Sequence, residues 1–320
     1  MKRILICKKH VDLSEDYAKN LFSKRRNNFT RPLDRLNDLE RELQILNKVD
    51  YADYVRKIIE KYSIINVIRP ENFDDFHNAH FNFPSIVLND NSLGGRQKFH
   101  ELIVKAMRYA DARTDFLPYV QKLGIKTCVY CNAQLAVTVK KNGSIFKGMY
   151  DLDHFYPKSK YPYLCTSFFN LQPVCACCNR SKSDNKAKFS LYTINHKEIS
   201  PFNFQLDKKS LIKYNLNNNC EELKIIFDSS DIGLKDDHEK HFHISKLYET
   251  QKDLAEEIIW KTRIYNESYQ TILRKISDKL PFKHSDLNRL IIGNYDRIED
   301  IHKRPMSKFV QDIAQQLKLI

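Results

Sequence analysis

Two cysteine pairs and one aspartate–histidine pair are the residues of this chain whose types and spacing could do chemistry. Cys128-Val-Tyr-Cys131 and Cys175-Ala-Cys-Cys178 are both C-x-x-C knuckles. A knuckle aims two thiolates at one point, and two knuckles complete a tetrahedral sulfur site. Four sulfurs with no open position make that site structural, with Zn2+ the default ion. Neighbouring Cys177 and Cys178 cannot easily ligate one ion together, so Cys178 is read as the ligand and Cys177 as a small buried residue. Cys7, Cys165 and Cys220 have no partner spacing. Between the knuckles lies Asp151-Leu-Asp153-His154-Phe-Tyr-Pro157, and Asn179-Arg180-Ser-Lys182 follows the second knuckle. An Asp-His pair alone is most often structural. Inside a basic, sulfur-stapled module with an asparagine on an expected helix downstream, the balance turns to function.

The elements that must position these residues give an α+β chain, mostly helical, in three segments. Residues 1–120 form a helical N-terminal region. Leu36, Leu39, Leu43 and Leu46 follow 3-4-3 spacing, Val55, Ile58, Ile59 and Tyr62 continue the apolar stripe, and a further helix is expected over about 96–110. Asn89 to Ser92 and Gly94-Gly95 mark a loop. Residues 121–190 form the central core: strand character from Ala133 to Val139, a turn at Lys140-Lys141-Asn142-Gly143, and a return from Ser144 to Tyr150. Residues 191–320 hold an expected hairpin, Leu211–Tyr214 with Leu223–Phe227, and then helices: a long pattern from Leu254 to Ile276 and shorter ones around 287–292 and 309–317.

Composition narrows the chemistry. The 320 residues carry only 7 glycines, and no glycine-rich phosphate loop of Rossmann or P-loop type is present. The net charge of +13 suits a polyanionic partner. Between Lys140 and Lys188 nine basic residues face three acidic ones, so the charge concentrates where the cysteines are. Eight cysteines are too dilute for a disulfide scaffold, and no secretory signal follows Met1-Lys2-Arg3, so a reducing cytoplasm is expected. The uncharged stretch from Tyr161 to Asn179 is broken by Pro162 and Pro173 and is not a membrane span. His238-x-x-His241-x-His243 is the weaker metal candidate, because it has no carboxylate–histidine pairing.

With CVYC, DLDHFYP, the asparagine of SFFNLQPVC, and CCNRSK in this order, residues 128–188 resemble the zinc-stapled branch of the HNH, or ββα-metal, endonuclease superfamily. The resemblance implies that His154 is the general base, that Asp153 and Asn179 hold a catalytic divalent ion, and that Asn170 steadies the loop. Many relatives have histidine where this chain has Asn179. Oxygen ligands at Asp153 and Asn179 favour a hard ion, Mg2+ or Mn2+, and a neutral imidazole can take the proton of an attacking water. If a helix begins near Cys178, then Asn179, Lys182 and Lys186 share a face, which places Lys182 and Lys186, with Arg180 and Lys158, at a phosphate. The implied reaction is phosphodiester hydrolysis, in double-stranded DNA first. The large flanks resemble HNH effectors of bacterial antiphage systems, Septu-type or retron-associated, in which an ATPase is the partner. A non-catalytic zinc ribbon that only binds nucleic acid is the alternative, and the Asp153-His154/Asn179 set separates the two.

Overall fold

The computed structural model describes all residues except 27, 94–96, 142–144 and 278–285. The first helices are α1 (Lys8–Asn20), α2 (Pro32–Ile45), α3 (Val49–Ile65), α4 (Phe73–His80), α5 (Phe99–Ala106) and α6 (Tyr109–Lys122). Pro32 sits at the first position of α2, where its missing N–H costs nothing. Leu36, Leu39 and Leu43 of α2 and Val55 and Ile58 of α3 are buried as the two helices pack together, whereas Leu46 lies past the end of α2 and is exposed. The single helix expected over 96–110 is instead the whole of α5 and the start of α6. Arg108, in a left-handed backbone conformation at φ 58°, separates α5 from α6. The loop expected at 89–95 has its two glycines outside the described residues.

The uncharged stretch from Tyr161 is buried beneath these helices, which explains its composition. Tyr163 stacks on Phe81 at 3.8 Å, and Tyr17 of α1 donates its hydroxyl to the Thr166 carbonyl at 2.9 Å. Strand β1 (Ile4–Leu5) runs parallel to β6 (Tyr192–Thr193).

The central segment contains β2 (Thr138–Lys141) paired antiparallel with β3 (Ile145–Gly148), then β4 (Asp151–His154) paired antiparallel with β5 (Leu171–Val174), and then α7 (Ala176–Lys182). Residues 133–137 contribute only a bridge from Leu135 to Thr127 ahead of β2. Helix α7 packs against β4. Its N-cap is Cys175, whose sulfur accepts from the Cys178 N–H.

The C-terminal hairpin differs from the one the sequence suggests. Residues 208–217 are a helix, α8 (Lys208–Asn217), capped by Asp207, which accepts the Ser210 N–H at 2.8 Å. The hairpin is β7 (Phe202–Leu206) with β8 (Ile225–Ser229). Then follow α9 (Ile232–Phe242), α10 (Ile244–Glu249), α11 (Lys252–Ile264), α12 (Glu267–Ser277), α13 (Leu287–Ile292) and α14 (Ser307–Gln316). The pattern from Leu254 to Ile276 is therefore two helices, broken at Tyr265-Asn266. Helix α14 covers the free edge of β7. Asp312 accepts the Phe204 N–H and Gln316 accepts the Leu206 N–H, at 2.9 and 2.7 Å. Four residues of helix advance about 6 Å and two of strand about 6.6 Å, so the two spacings match. Apolar residues of all three segments join one core, from Met1 to Leu319. No helix is long and apolar enough to cross a membrane among the described residues.

Candidate metal centre and active-site cavity

The four predicted cysteine ligands meet. The sulfurs of Cys128, Cys131, Cys175 and Cys178 all lie within 4.8 Å of one another, and they form the metal-ligand cluster found among the described His, Cys, Asp and Glu residues. A tetrahedral zinc–thiolate site has sulfurs about 3.8 Å apart, so the four suit a structural zinc after a small contraction. Backbone N–H groups of Ala133 and Cys178 reach the sulfurs of Cys131 and Cys175 and help to hold negative charge there. Burial pushes the Cys128 thiol up, while bonds from neighbouring thiols, Cys128 first, pull Cys175 down. Four such groups cannot all ionise together without a cation. Cys177 is exposed, not buried as its sequence neighbourhood suggested: the first turn of α7 directs Cys178 inward and leaves Cys177 on the outer face.

C-terminal residues clasp the first knuckle. The Tyr248 hydroxyl donates to the Cys131 carbonyl at 2.8 Å, His238 Nε2 to the Tyr130 carbonyl at 2.8 Å, and Asn132 Nδ2 to the Ile301 carbonyl at 2.9 Å. This is the work of His238; it is buried and neutral, pushed down to about 3 by burial, and is no metal ligand here.

A cavity of about 210 Å³ opens at the end of β4, lined among others by Asp153, His154, Lys158, Asn179, Lys182 and Asp184. His154 is buried, with its ring 4.8 Å from that of Tyr109. Its Nε2 lies 3.0 Å from the Cys165 carbonyl. A carbonyl only accepts, so Nε2 carries the hydrogen and Nδ1 keeps its lone pair. Burial, with repulsion from Lys158 and Lys182, holds the ring down to about 3 and keeps it neutral.

Asp153 has both oxygens engaged: Oδ1 faces Lys182 Nζ at 3.0 Å and Oδ2 accepts the Tyr130 hydroxyl at 2.6 Å. Burial raises its carboxyl against the pull of Lys182. Asn179 turns its amide nitrogen to Asp151 Oδ2 at 3.1 Å. Asn170 is fully buried; its oxygen takes the Tyr156 N–H at 2.7 Å and its nitrogen gives to the carbonyls of Tyr156 and Leu164. The chain from 156 to 164 is thus tied to the start of β5.

Lys182 departs from the expected surface role. It is fully buried, and its ammonium also donates to the His154 carbonyl at 2.9 Å. Position 182 is the last of α7, on the side packed against β4, and a charge buried there must be paired. Lys186 lies beyond the helix, so Asn179, Lys182 and Lys186 do not share one helical face. Lys186 is exposed, with its ammonium 3.9 Å from the centre of the Tyr156 ring. Arg180 and Lys158 are also exposed.

The donor set fits a hard divalent ion in kind. A carboxylate oxygen has a second lone pair, and Asn179 keeps its carbonyl oxygen free of hydrogen bonds among the described residues. The competitor is already in place: the ammonium of Lys182. Tyr130, Tyr109 and Asp151 are the participants that sequence reasoning missed. Tyr130 and Asp151 stand inside the quoted motifs, but nothing in the motifs says what they touch. Tyr109, from a different segment, left no local signal. No family model, curated protein or solved structure matches this chain.

Proposed function

We propose that this chain is a metal-dependent endonuclease of the HNH, or ββα-metal, type, hydrolysing phosphodiester bonds in nucleic acid and in double-stranded DNA first. The observation that carries the reading is the state of His154. It is neutral, its Nε2 hydrogen is committed to the Cys165 carbonyl, and its Nδ1 lone pair belongs to a residue lining an open cavity. A general base needs an unprotonated nitrogen with a free lone pair, which Nδ1 supplies, and the negative charge of a phosphate bound in the cavity would raise the ring toward the operating pH. The order of two antiparallel strands and a helix, with the aspartate and histidine at the end of the first strand and Asn179 on the helix, supports the same reading.

In this proposal His154 takes the proton of the attacking water at Nδ1. Asp153 and Asn179 would hold Mg2+ or Mn2+, which supplies positive charge for the scissile phosphate and the leaving 3′ oxygen. Asn170 keeps the 156–164 loop, and so Lys158, in position beside the cavity. Lys158 and Arg180 offer exposed positive charge to phosphates, and Lys186, paired with Asp74 at 3.4 Å, could exchange that partner for one. Lys182 has a different part: it neutralises Asp153 and holds it in place while no ion is bound. The sulfur cluster holds a structural zinc, and a reducing cytoplasm would keep its thiols available. The likeness to antiphage effectors adds an ATPase partner to the proposal.

One observation favours the binding-only alternative: both oxygens of Asp153 already have protein partners. The test is incubation of the purified chain with plasmid, linear DNA and RNA, each with Mg2+, Mn2+ or chelator. Metal-dependent cleavage lost in His154→Ala supports the nuclease. Metal-independent binding, with no cleavage even when an ATPase encoded beside it is added, assigns the module to binding alone.

A further inference from the structure

Away from the sulfur cluster, the N-terminal helices carry a second concave surface. A cavity of about 560 Å³ lies between α2, α5 and the start of α6, and Arg35, Lys105, Arg108 and Lys158 help to line it. Lys158 also lines the His154 cavity, so the two are adjacent. At its other end Arg35 and Arg108 also line a depression of about 310 Å³ that includes Arg26 and Phe29. The three concavities form one path from the loop before α2 to His154.

The charges on this path are left available. Arg26, Arg35, Lys105 and Lys158 have no ion-pair partner among the described residues. Of the acidic residues along the path, Asp111 is engaged with Arg108 at 2.9 Å, Glu101 with the Lys98 N–H at 3.0 Å and Asp153 with Lys182 at 3.0 Å, while Asp184 at the His154 end is exposed. Arg108 holds a left-handed backbone, a costly state for a residue with a side chain, and its guanidinium lies 4.1 Å over Phe29. An unpaired row of guanidinium and ammonium groups leading to a candidate hydrolytic site suits a phosphodiester backbone, whose oxygens accept from such groups. A membrane surface is flat and would not enter a groove.

We propose that this groove, built by the N-terminal helical region, binds the stretch of nucleic acid backbone that flanks the scissile phosphate, through Arg26, Arg35 and Lys105. The inference rests on the nuclease reading for the position of that phosphate. It gives the helical flank the role of substrate guide.

The experiment measures binding of the full chain, without added divalent metal, to fluorescent 20-base-pair duplex DNA and to the corresponding single strand over a salt series. It compares wild type with Arg26→Ala/Arg35→Ala/Lys105→Ala. A charge-matched control, Lys208→Ala/Lys209→Ala/Lys213→Ala, alters exposed lysines on α8. The groove variant should bind duplex at least about tenfold more weakly, with a salt slope flatter by about 2–3, while the control keeps affinity and slope. Unchanged binding by the groove variant, or equal loss in the control, overturns the inference. So does stronger binding to phosphatidylserine vesicles than to DNA that the groove variant abolishes. Metal-dependent cleavage with unaltered groove-variant binding leaves the nuclease reading standing and removes the groove. Groove-dependent binding with no cleavage in any metal does the reverse. Zinc content and the thermal midpoint of each variant, equal to wild type, exclude misfolding; a groove variant that fails this control is replaced by Arg26→Gln/Arg35→Gln/Lys105→Gln, judged by the same outcomes.

Discussion

Two lysines among the described residues are buried against aspartates, and their surroundings differ. Lys308 pairs with Asp312 one turn along α14 at 2.6 Å, and Asp312 uses its other oxygen to cap the edge of β7. Lys182 pairs with Asp153 across 29 residues of chain, from the end of a helix to a strand, at the wall of a cavity. The first pair is closed in by its own helix and sheet. The second is bounded by space that another cation can enter. Identical chemical groups are therefore enclosed in one place and border a cavity in the other.

Several substitutions break or sharpen this contrast. The largest effect is at the sulfur cluster that fixes the frame around Asp153. Cys128→Ser or Cys178→Ser should lose the bound zinc and unfold the central segment, since a structural zinc contributes on the order of 10 kcal/mol. Metal analysis and circular dichroism of protein purified without added zinc check it, and a folded, zinc-free variant contradicts it. Next is His154→Ala, which should lower cleavage by about 10²–10⁴-fold with DNA affinity and zinc retained. Plasmid cleavage beside anisotropy measures this, and equal cleavage by the variant removes the base assignment.

The two lysines themselves come third. Lys308→Met leaves Asp312 without its counter-charge and should cost about 3–5 kcal/mol of stability, independent of Mg2+. Lys182→Met should cost a similar amount in chelator, but millimolar Mg2+ or Mn2+ should recover much of it by taking the vacated place beside Asp153. Urea denaturation with and without metal reads both. Identical metal response in the two variants abolishes the contrast. The smallest effect is on the pH axis. Burial pushes His302 and His238 down to about 3, against an unfolded value near 6.5. Between those values the unfolded chain binds more protons, so stability is full above about pH 6.5 and falls as the pH drops toward 3. Each histidine adds up to about 1.4 kcal/mol per pH unit to that slope. Denaturation midpoints of His302→Gln between pH 7 and 4.5 should show a shallower decline than wild type.

The sulfur cluster was legible because its signal is local: four residues at two fixed spacings name the site before any fold is known. The adjacency of Asp153 and His154 was equally plain. What each of them touches was not, because it depends on chain brought from far away. Tyr109 reaches His154 from the N-terminal helices, and the Cys165 carbonyl that sets its tautomer is a backbone group with no side-chain signature. Lys182 misled because a lysine two residues after an arginine reads as surface charge for a phosphate, and only the packing of α7 on β4 buries it. The hairpin was misplaced because Leu211, Ile212 and Tyr214 look strand-like, although Asp207 three residues before Ser210 is a helix cap. The break at Arg108 has neither glycine nor proline to mark it.

The clasp on the first knuckle also has a consequence in time. The last cysteine ligand is Cys178, but the groups that hold the Cys128–Cys131 turn come much later: Tyr248, Ile301 and, through its N–H to the Asn132 side chain, Lys308. The ribosome adds about 5–20 residues per second, so roughly 6–26 s pass between the synthesis of Cys178 and that of Lys308. During that interval the four thiols have all been made while their clasp has not. Under the proposed zinc occupancy, an ion taken up in that interval would meet four thiols that the C-terminal residues do not yet clasp.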